Sequence, residues 1–393
     1  MSPRLAAALN YPERRHYSGL LQHRAGRHRL DGPGVIVPDK QPTSDDVAIA
    51  RRLLAAYGAA SELGQGVAIP GRTDIWTFNH ALQHGYTALL GRNNPDELGA
   101  YLCNVWRHDA ALGIAQGHLE SERIRQDPAF RRSIVLRTRD KLVSLAEAVG
   151  AAPVENPEVW PPQNRLAAEL GPLVAGIAER LGLDIAPPDV DGGALKLKTP
   201  QGLFAARDLY AIFTAHLMRQ ALGDAKSLRV CEIGGGSGRA AYWGSRAGLG
   251  PYTVIDLPHV NVVQGFYLAK GLGADRVAFY GENGDVSVRV LPNRATEVSD
   301  DHRYDLVLNQ DSFPEMHPSI VSDYLTWIVR TCHGGLLLSV NHESKARYGS
   351  SDTVLAHVSV PEAVARHGGF ERLQRYPYWL RRGYVTELYR VAG

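Results

Sequence analysis

The sequence lacks the features that mark disulfide-rich, zinc-binding or membrane-embedded proteins. Its 393 residues include only three cysteines, Cys103, Cys231 and Cys332. They are odd in number and far apart, which excludes a disulfide framework and does not fit a thiolate zinc site. No apolar run is long enough for a membrane span or for the core of a signal peptide. We therefore expect a cytoplasmic protein with no membrane partner.

The net charge is also small. Lys and Arg number 43 against 41 Asp and Glu, for a formal charge of +2, which gives no reason to expect nucleic acid as a partner. The composition, 44% hydrophobic and 21% charged, is that of an ordinary globular chain. The length suits two domains.

The N-terminal half has helical periodicity. Ser44 is a candidate helix cap, with two acids following it and apolar residues at helical spacing after them. Similar segments continue until proline-rich breaks at 151–163 and 186–193. We predict a mainly helical N-terminal domain over residues 1–190.

From residue 191 onward the pattern changes to short β-branched runs that alternate with helical segments. Five such runs begin at residues 228, 252, 276, 304 and 335. This alternation is typical of crossover units on a parallel sheet. Two further runs near the C-terminus, separated by a turn-like "WLRRG", predict an antiparallel pair at the sheet edge. Residues 191–393 are thus expected to form an α/β domain.

A glycine-rich turn, "EIGGGSG" at 232–238, follows the first of these runs. It lacks the third glycine of a dinucleotide fingerprint, because that position is Arg239. The carboxylate of Glu232 directly before the turn would repel a pyrophosphate but accept a cationic or zwitterionic ligand. No Gly-Lys-Ser/Thr follows, so a Walker phosphate loop is also excluded.

Polar residues follow each of the later runs. Asp256 ends the second run, eighteen residues after Gly238, where a carboxylate can accept ribose hydroxyls. The later runs end in the pairs and triplets Glu282–Asn283, Asn309–Asp311 and Asn341–Glu343. Since ligands bind beyond the carboxyl ends of parallel strands, we expect all of these residues at one edge of the sheet.

The order acid-X-Gly-X-Gly-X-Gly resembles the first motif of class I S-adenosylmethionine-dependent methyltransferases. That resemblance implies a Rossmann-like, seven-stranded methyltransferase sheet with S-adenosylmethionine as cofactor, and it places the adenine amino group at Glu282 and Asn283. The residues expected at the cofactor are Glu232, Gly234, Gly236, Gly238, Asp256, Leu257, Glu282, Asn283 and Asn309.

Several phrases resemble a narrower family, the bacterial sugar O-methyltransferases. They are Leu257–Pro258 after the ribose acid, the run Asn309–Met316 and the run Asn341–Glu343, within a resemblance that spans about 192–343. The resemblance implies methylation of a hydroxyl on a sugar, a glycosylated natural product or a polysaccharide precursor. Two alternatives stay open: methylation of a phenol, carboxylate or carbon acid in natural-product biosynthesis, and a catalytically silent, cofactor-binding scaffold.

Methyl transfer to a sugar hydroxyl requires a base, because the hydroxyl is a very weak acid. His342 is the preferred base, since neutral imidazole titrates near working pH, and Asp311 is the second choice. Glu343, Glu315 and His317 are further candidates, and the alternative interpretation of Glu315 and His317 is a solvated helix start. The helical domain would cover the acceptor pocket and is a candidate for homo-oligomer contacts.

Metal binding is considered but not favoured. A Mg²⁺ ion would require oxygen and nitrogen ligands. The candidates for these ligands are Asp311, Glu315, His342 and Glu343. His80 and His84 are four residues apart and would share one face of a helix, but no third zinc ligand is apparent. We interpret these two histidines as ordinary helix surface.

Overall fold

The computed structural model describes residues 12–63, 75–114, 118–156, 158, 163–223, 228–295, 303–343, 347–348, 355–356 and 358–393. The helices are α1 (Pro12–Ala25), α2 (Ser44–Glu62), α3 (Ile75–Leu82), α4 (His84–Arg92), α5 (Pro95–Leu102), α6 (His118–Gln126), α7 (Pro128–Ala148), α8 (Leu170–Leu181), α9 (Ala206–Leu222), α10 (Arg239–Arg246), α11 (Pro258–Leu272), α12 (Pro318–Thr331) and α13 (Val360–His367). None of them is long and apolar enough to cross a membrane.

The strands fall into three sheets. They are β1 (Gly34–Ile36), β2 (Leu195–Thr199), β3 (Gly202–Phe204), β4 (Val230–Ile233), β5 (Tyr252–Asp256), β6 (Val277–Ala278), β7 (Val288–Pro292), β8 (Leu306–Gln310), β9 (Leu336–His342), β10 (Arg347–Tyr348), β11 (Leu355–Ala356), β12 (Phe370–Pro377) and β13 (Tyr384–Val391). Strands β1, β2 and β3 form one small antiparallel sheet, and β10 and β11 form another.

The chain divides into two compact units. The first contains residues up to Val37 with Leu119–Pro187 and Ala194–Tyr210, and the second contains Pro38–His118, Pro188–Gly193 and Ala211–Gly393. This division differs from the predicted boundary at residue 190, because helices α2 to α5 group with the α/β sheet rather than with the other helices. The reason is packing that sequence periodicity does not reveal.

The first unit is organised around α7. The helix begins after Asp127, whose side chain accepts the backbone N–H of Phe130. Its Arg139 is buried and donates to Asp31 and to the carbonyl of Leu166. A guanidinium buried in this way is stable only because its donors are bonded. Arg139 therefore fixes the loops on both sides of α7.

The second unit contains a mixed sheet of eight strands in the order β12-β13-β9-β8-β4-β5-β7-β6. The strands from β9 to β6 in that order are parallel, whereas β13 is antiparallel to β9 and to β12. The predicted antiparallel pair is thus present at the edge. The predicted number of seven strands is wrong by one, because the run at residue 276 yields only β6 and a separate strand, β7, lies between it and β5.

Helix α2 packs on the sheet unit through a buried carboxylate. Its cap is Thr43 rather than Ser44, since Thr43 and Asp46 exchange hydrogen bonds in a capping box. The Asp46 carboxylate is buried and forms a 2.6 Å ion pair with Lys270 on α11. The cap thereby ties α2 to the helix that follows Asp256.

Candidate functional site

The site lies at the carboxyl ends of the parallel strands, where the strand order reverses. From β4, the sheet continues through β5 on one side and through β8 on the other. The ends are level, because Ile233 on β4 is in register with Ile255 on β5 and with Asn309 on β8. In open α/β sheets such a switch point forms the crevice that binds ligands. At this edge the glycine turn follows β4 and Asp311 follows β8. Asp256 and His342 are the last residues of β5 and β9.

The three predicted glycines have different tasks. Gly234, Gly236 and Gly238 all have positive φ, at 75°, 56° and 77°, which favours glycine. A side chain at Gly234 would collide with Ser312, whose Oγ lies 2.2 Å from the position of a Cβ, whereas at Gly236 the nearest atom is a methyl carbon of Ile114 at 3.9 Å. Gly234 is therefore required for packing, and Gly236 is the least crowded glycine of the turn.

Asp256 is bonded to this turn. Its Oδ2 accepts the N–H of Gly236 at 3.1 Å and the side-chain amide of Gln264 at 2.6 Å, and its Oδ1 accepts the N–H of Leu257 at 2.8 Å. Burial raises the pKa of Asp256 to about 6. Because a carboxylate oxygen accepts two hydrogen bonds, Oδ1 retains capacity for a ligand hydroxyl.

Glu232 lies in the protein interior. Its carboxyl is 3% exposed and accepts the hydroxyl of Tyr252 at 3.1 Å. Burial raises the pKa of Glu232 to about 8, so the group is neutral at pH 7. The sequence predicts that Glu232 contacts the cofactor, whereas in the structure its carboxyl is buried beneath the glycine turn.

Asn309 is likewise buried, and it connects three strands. Its side-chain amide donates to the carbonyl of Ile233 at 3.1 Å and to Ser312 Oγ at 2.6 Å, while its Oδ1 accepts from Asn341 at 3.0 Å. Ser312 Oγ in turn bonds the carbonyl of Ile233, next to Gly234. Asn309 therefore holds the glycine turn in position from below rather than facing a ligand.

Glu282 and Asn283 do not lie where the sequence predicts. They precede β7, the strand that pairs with β5, and the Glu282 carboxylate forms a salt bridge with Arg52 and accepts the N–H of Phe279. The residue that follows β7 beside Asp256 is Asn293, whose N–H donates to the Asp256 carbonyl at 2.8 Å. Strand β7 is buried at every second position, but Arg289 is the one polar residue in it, so the alternation that predicts a strand is weak in the sequence.

Asp311 has an unusual backbone conformation at this edge. It is one of two non-glycine residues in the described ranges with positive φ, at 61°, a conformation that is kept only where the surroundings enforce it. Its N–H donates to Val340 and Asn341, and its carboxylate bonds Arg381 and the hydroxyl of Tyr384. The sequence does not single out Arg381 or Tyr384, because neither the turn after β12 nor the start of β13 carries a motif.

Tyr384 also contacts His342. The two residues are paired across β9 and β13, and their rings meet edge to face with centroids 5.5 Å apart. Burial first, and the nearby Asp311 next, raise the pKa of the Tyr384 phenol, so it stays protonated and donates to Asp311. The structure thus brings Asp311 and His342, the two candidate bases, into contact with the same residue.

The other candidates lie around this group. Glu343 is exposed and pairs with Arg375 at 2.7 Å. His317 is the N-cap of α12, and its Nδ1 accepts the N–H of Ser319. It therefore lies at a helix start, but its side chain is half-buried rather than fully solvated. Glu315 follows in the short turn after Asp311.

The predicted metal ligands do not form a cluster within the part of the chain that the structure describes, where no group of three or more His, Cys, Asp or Glu is placed to hold an ion. Asp311 is instead bonded to the cation of Arg381. His80 and His84 are not on one helix, since α3 ends at Leu82 and α4 begins at His84. The His80 ring packs against His259, 4.9 Å away.

Arg239, at the place of the missing third glycine, forms a buried ion pair. Its guanidinium lies 2.6 Å from Asp191 and donates to Ser237, and it lies over the rings of Trp106 and Tyr267. Trp106 Nε1 bonds the same Asp191 carboxylate at 2.8 Å. A cavity of about 10 Å³ lies among these side chains. Through Asp191, Trp106 in the segment that precedes Ile114 is linked to Arg239, the first residue after the glycine turn.

No protein-family model matches this chain, and no curated protein matches it. Solved structures similar to it include the N-methyltransferase NodS from Bradyrhizobium japonicum WM9 in complex with S-adenosyl-L-homocysteine, at 12% identity over 45% of this chain and 85% of that one, with a TM-score of 0.33. Another is magnesium protoporphyrin IX methyltransferase from Synechocystis PCC 6803 with bound SAM, at 13% identity over 47% and 79%, TM-score 0.34. A third is the glycopeptide N-methyltransferase MtfA complexed with S-adenosyl-L-methionine, at 14% identity over 46% and 87%, TM-score 0.35.

Proposed function

We propose that this protein is an S-adenosylmethionine-dependent O-methyltransferase that acts on a hydroxyl of a sugar, a glycosylated natural product or a polysaccharide precursor. The observation that carries the proposal is the bond between Asp256 and the N–H of Gly236. It places a carboxylate beside the least crowded glycine of the turn, where a Cβ would meet only Ile114, at 3.9 Å. A nucleoside ribose next to a bare backbone is the ligand that this pair fits.

The residues present fit the cofactor. S-adenosylmethionine supplies an electrophilic methyl group on a sulfonium. Gly236 leaves room for close approach, and Asp256 Oδ1 accepts a ribose hydroxyl. Glu232 is neutral at pH 7 and does not compete as a second charge. Asn293, which follows β7, is the residue proposed beside the adenine in place of Glu282.

The acceptor would lie at the other side of the switch point, against His342 and Asp311. A sugar hydroxyl loses its proton only to a placed base, which adds about 10²–10⁴-fold to the rate. Asp311 already accepts from Arg381 and Tyr384, so its oxygens are poor proton acceptors. His342 is therefore the proposed base, and Asp311 holds Tyr384 against it.

Asp256→Ala is expected to lower the affinity for S-adenosylhomocysteine tenfold or more. The change leaves the ribose hydroxyls without their acceptor, a loss of about 1–3 kcal/mol. Isothermal titration calorimetry measures it directly. Glu282→Ala is the matched control, because it removes a carboxylate near the beginning of β7, and its affinity should equal that of the wild type. If Glu282→Ala lowers the affinity and Asp256→Ala does not, the adenosine would be assigned to Glu282 instead.

Turnover on a panel of acceptors separates the proposed reaction from its alternatives. Release of S-adenosylhomocysteine with simple glycosides supports the sugar acceptor. Turnover with phenols or carboxylic acids alone would assign the enzyme to another acceptor class. Tight cofactor binding without turnover on any acceptor would favour the silent scaffold.

A further inference from the structure

Gln264 on α11 makes the shortest of the three bonds that hold Asp256. Its Nε2 donates to Asp256 Oδ2 at 2.6 Å, and the side chain is fully buried. Its Oε1 is also buried, and within the described ranges it has no hydrogen-bond partner. A buried amide oxygen left unpaired is costly, so an apolar residue would pack here at lower cost. What the glutamine contributes is its N–H.

The contacts of Gln264 reach the turn as well as the carboxylate. Its Nε2 would lie 3.4 Å from a Cβ on Gly235, and its backbone carbonyl would lie 3.4 Å from one on Gly238. The second donor to Asp256 Oδ2 is the N–H of Gly236, which belongs to the glycine turn. Oδ2 is therefore saturated by the protein, while Oδ1 has one donor, the N–H of Leu257.

We propose that Gln264 is a positioning residue that saturates Asp256 Oδ2 and so leaves Oδ1 as the acceptor for the cofactor's ribose. The inference rests on the proposed function. A donor on Oδ2 also favours the ionised carboxylate, because hydrogen bonds to the charged form stabilise it. Gln264 thus acts on cofactor binding through both the orientation and the charge of Asp256.

The charge of Asp256 gives the readout. The ionised form offers Oδ1 as the acceptor for the ribose, so affinity should fall as the pH drops through the Asp256 pKa of about 6. Loss of the Gln264 donor should raise that pKa and move the fall to higher pH. Glu232, which faces Asp256 from β4, has a pKa of about 8, and His259 on α11 has one of about 3. His80, beside His259, has a pKa lowered from 6.5 by burial.

The test is calorimetry with S-adenosylhomocysteine between pH 5 and 7.5 on the full chain. Gln264→Leu is expected to move the midpoint of the affinity loss upward by about half a pH unit or more. Gln264→Glu keeps the size of the side chain and should move it further, since two adjacent carboxyls share a proton. Asp256→Asn should abolish the midpoint. The His80→Gln background removes the imidazole that packs against His259 on α11 and so controls for its titration.

A purely structural role for Gln264 would weaken binding equally at every pH. Midpoints that coincide in the wild type, Gln264→Leu and Gln264→Glu would overturn the inference while leaving the proposed function intact. If the leucine variant does not fold, the isosteric glutamate variant decides alone. A wild type that binds no S-adenosylhomocysteine at any pH would sink the proposed function itself.

Discussion

His342→Ala is expected to lower kcat by about 10²–10⁴-fold while the affinity for S-adenosylhomocysteine stays within about twofold of the wild type. The expectation follows from the position of His342 at the carboxyl end of β9, where its ring meets Tyr384. Loss of a base affects the step that removes the acceptor proton and not the ribose contact at Asp256. Steady-state kinetics with a glycoside that the enzyme methylates gives kcat, and calorimetry gives the affinity.

The matched control is His367→Ala, which removes a half-buried histidine on α13 that bonds Thr326 and the neighbouring backbone and packs against Phe370. Tyr384→Phe keeps the ring against His342 but removes the hydroxyl bond to Asp311. It should lower kcat by less than His342→Ala does, because the base remains. Full activity in His342→Ala would move the base assignment to Asp311.

Addition of EDTA is expected to leave turnover unchanged. The Asp311 carboxylate is bonded to Arg381, and a guanidinium beside it repels a second cation. The assay needs no variant. Loss of turnover that Mg²⁺ restores would instead identify a metal-assisted reaction.

Arg239→Met should destabilise the second unit by about 3–5 kcal/mol, the cost of breaking a buried ion pair by removing one partner. Asp191 is 2% exposed and would lose its cationic partner, while its bond with the Trp106 N–H would remain. Methionine fills much of the space of the arginine stem, so the loss reflects charge rather than volume. Urea unfolding followed by tryptophan fluorescence measures the change.

The double variant Arg239→Met with Asp191→Leu should recover much of that loss, because it leaves no uncompensated charge. Arg92→Met is the surface control, since its pair with Glu97 is exposed on both sides and should contribute about 0–1 kcal/mol. A loss in Arg239→Met no greater than in Arg92→Met would mean that water reaches Asp191.

The sequence alone determined the elements whose signals are local. The glycine turn, the four central runs that became β4, β5, β8 and β9, and the terminal antiparallel pair are each set by residues within a few positions of one another. The same holds for Asp256 and His342, because each ends a run of mostly apolar residues that is visible in the sequence. These features required only that parallel strands end at one edge.

The tertiary structure alone decided which side chains face inward and which strands become neighbours. Pairing of β7 with β5 removed Glu282 from the site and brought Asn293 to it, and burial turned Glu232 and Asn309 into supports. Pairing of β13 with β9 brought Tyr384, the first residue of β13, to Asp311 and His342, although no motif marks it. Such contacts depend on hydrogen bonds between segments far apart in the chain and on the exclusion of water, and neither leaves a pattern in the local sequence.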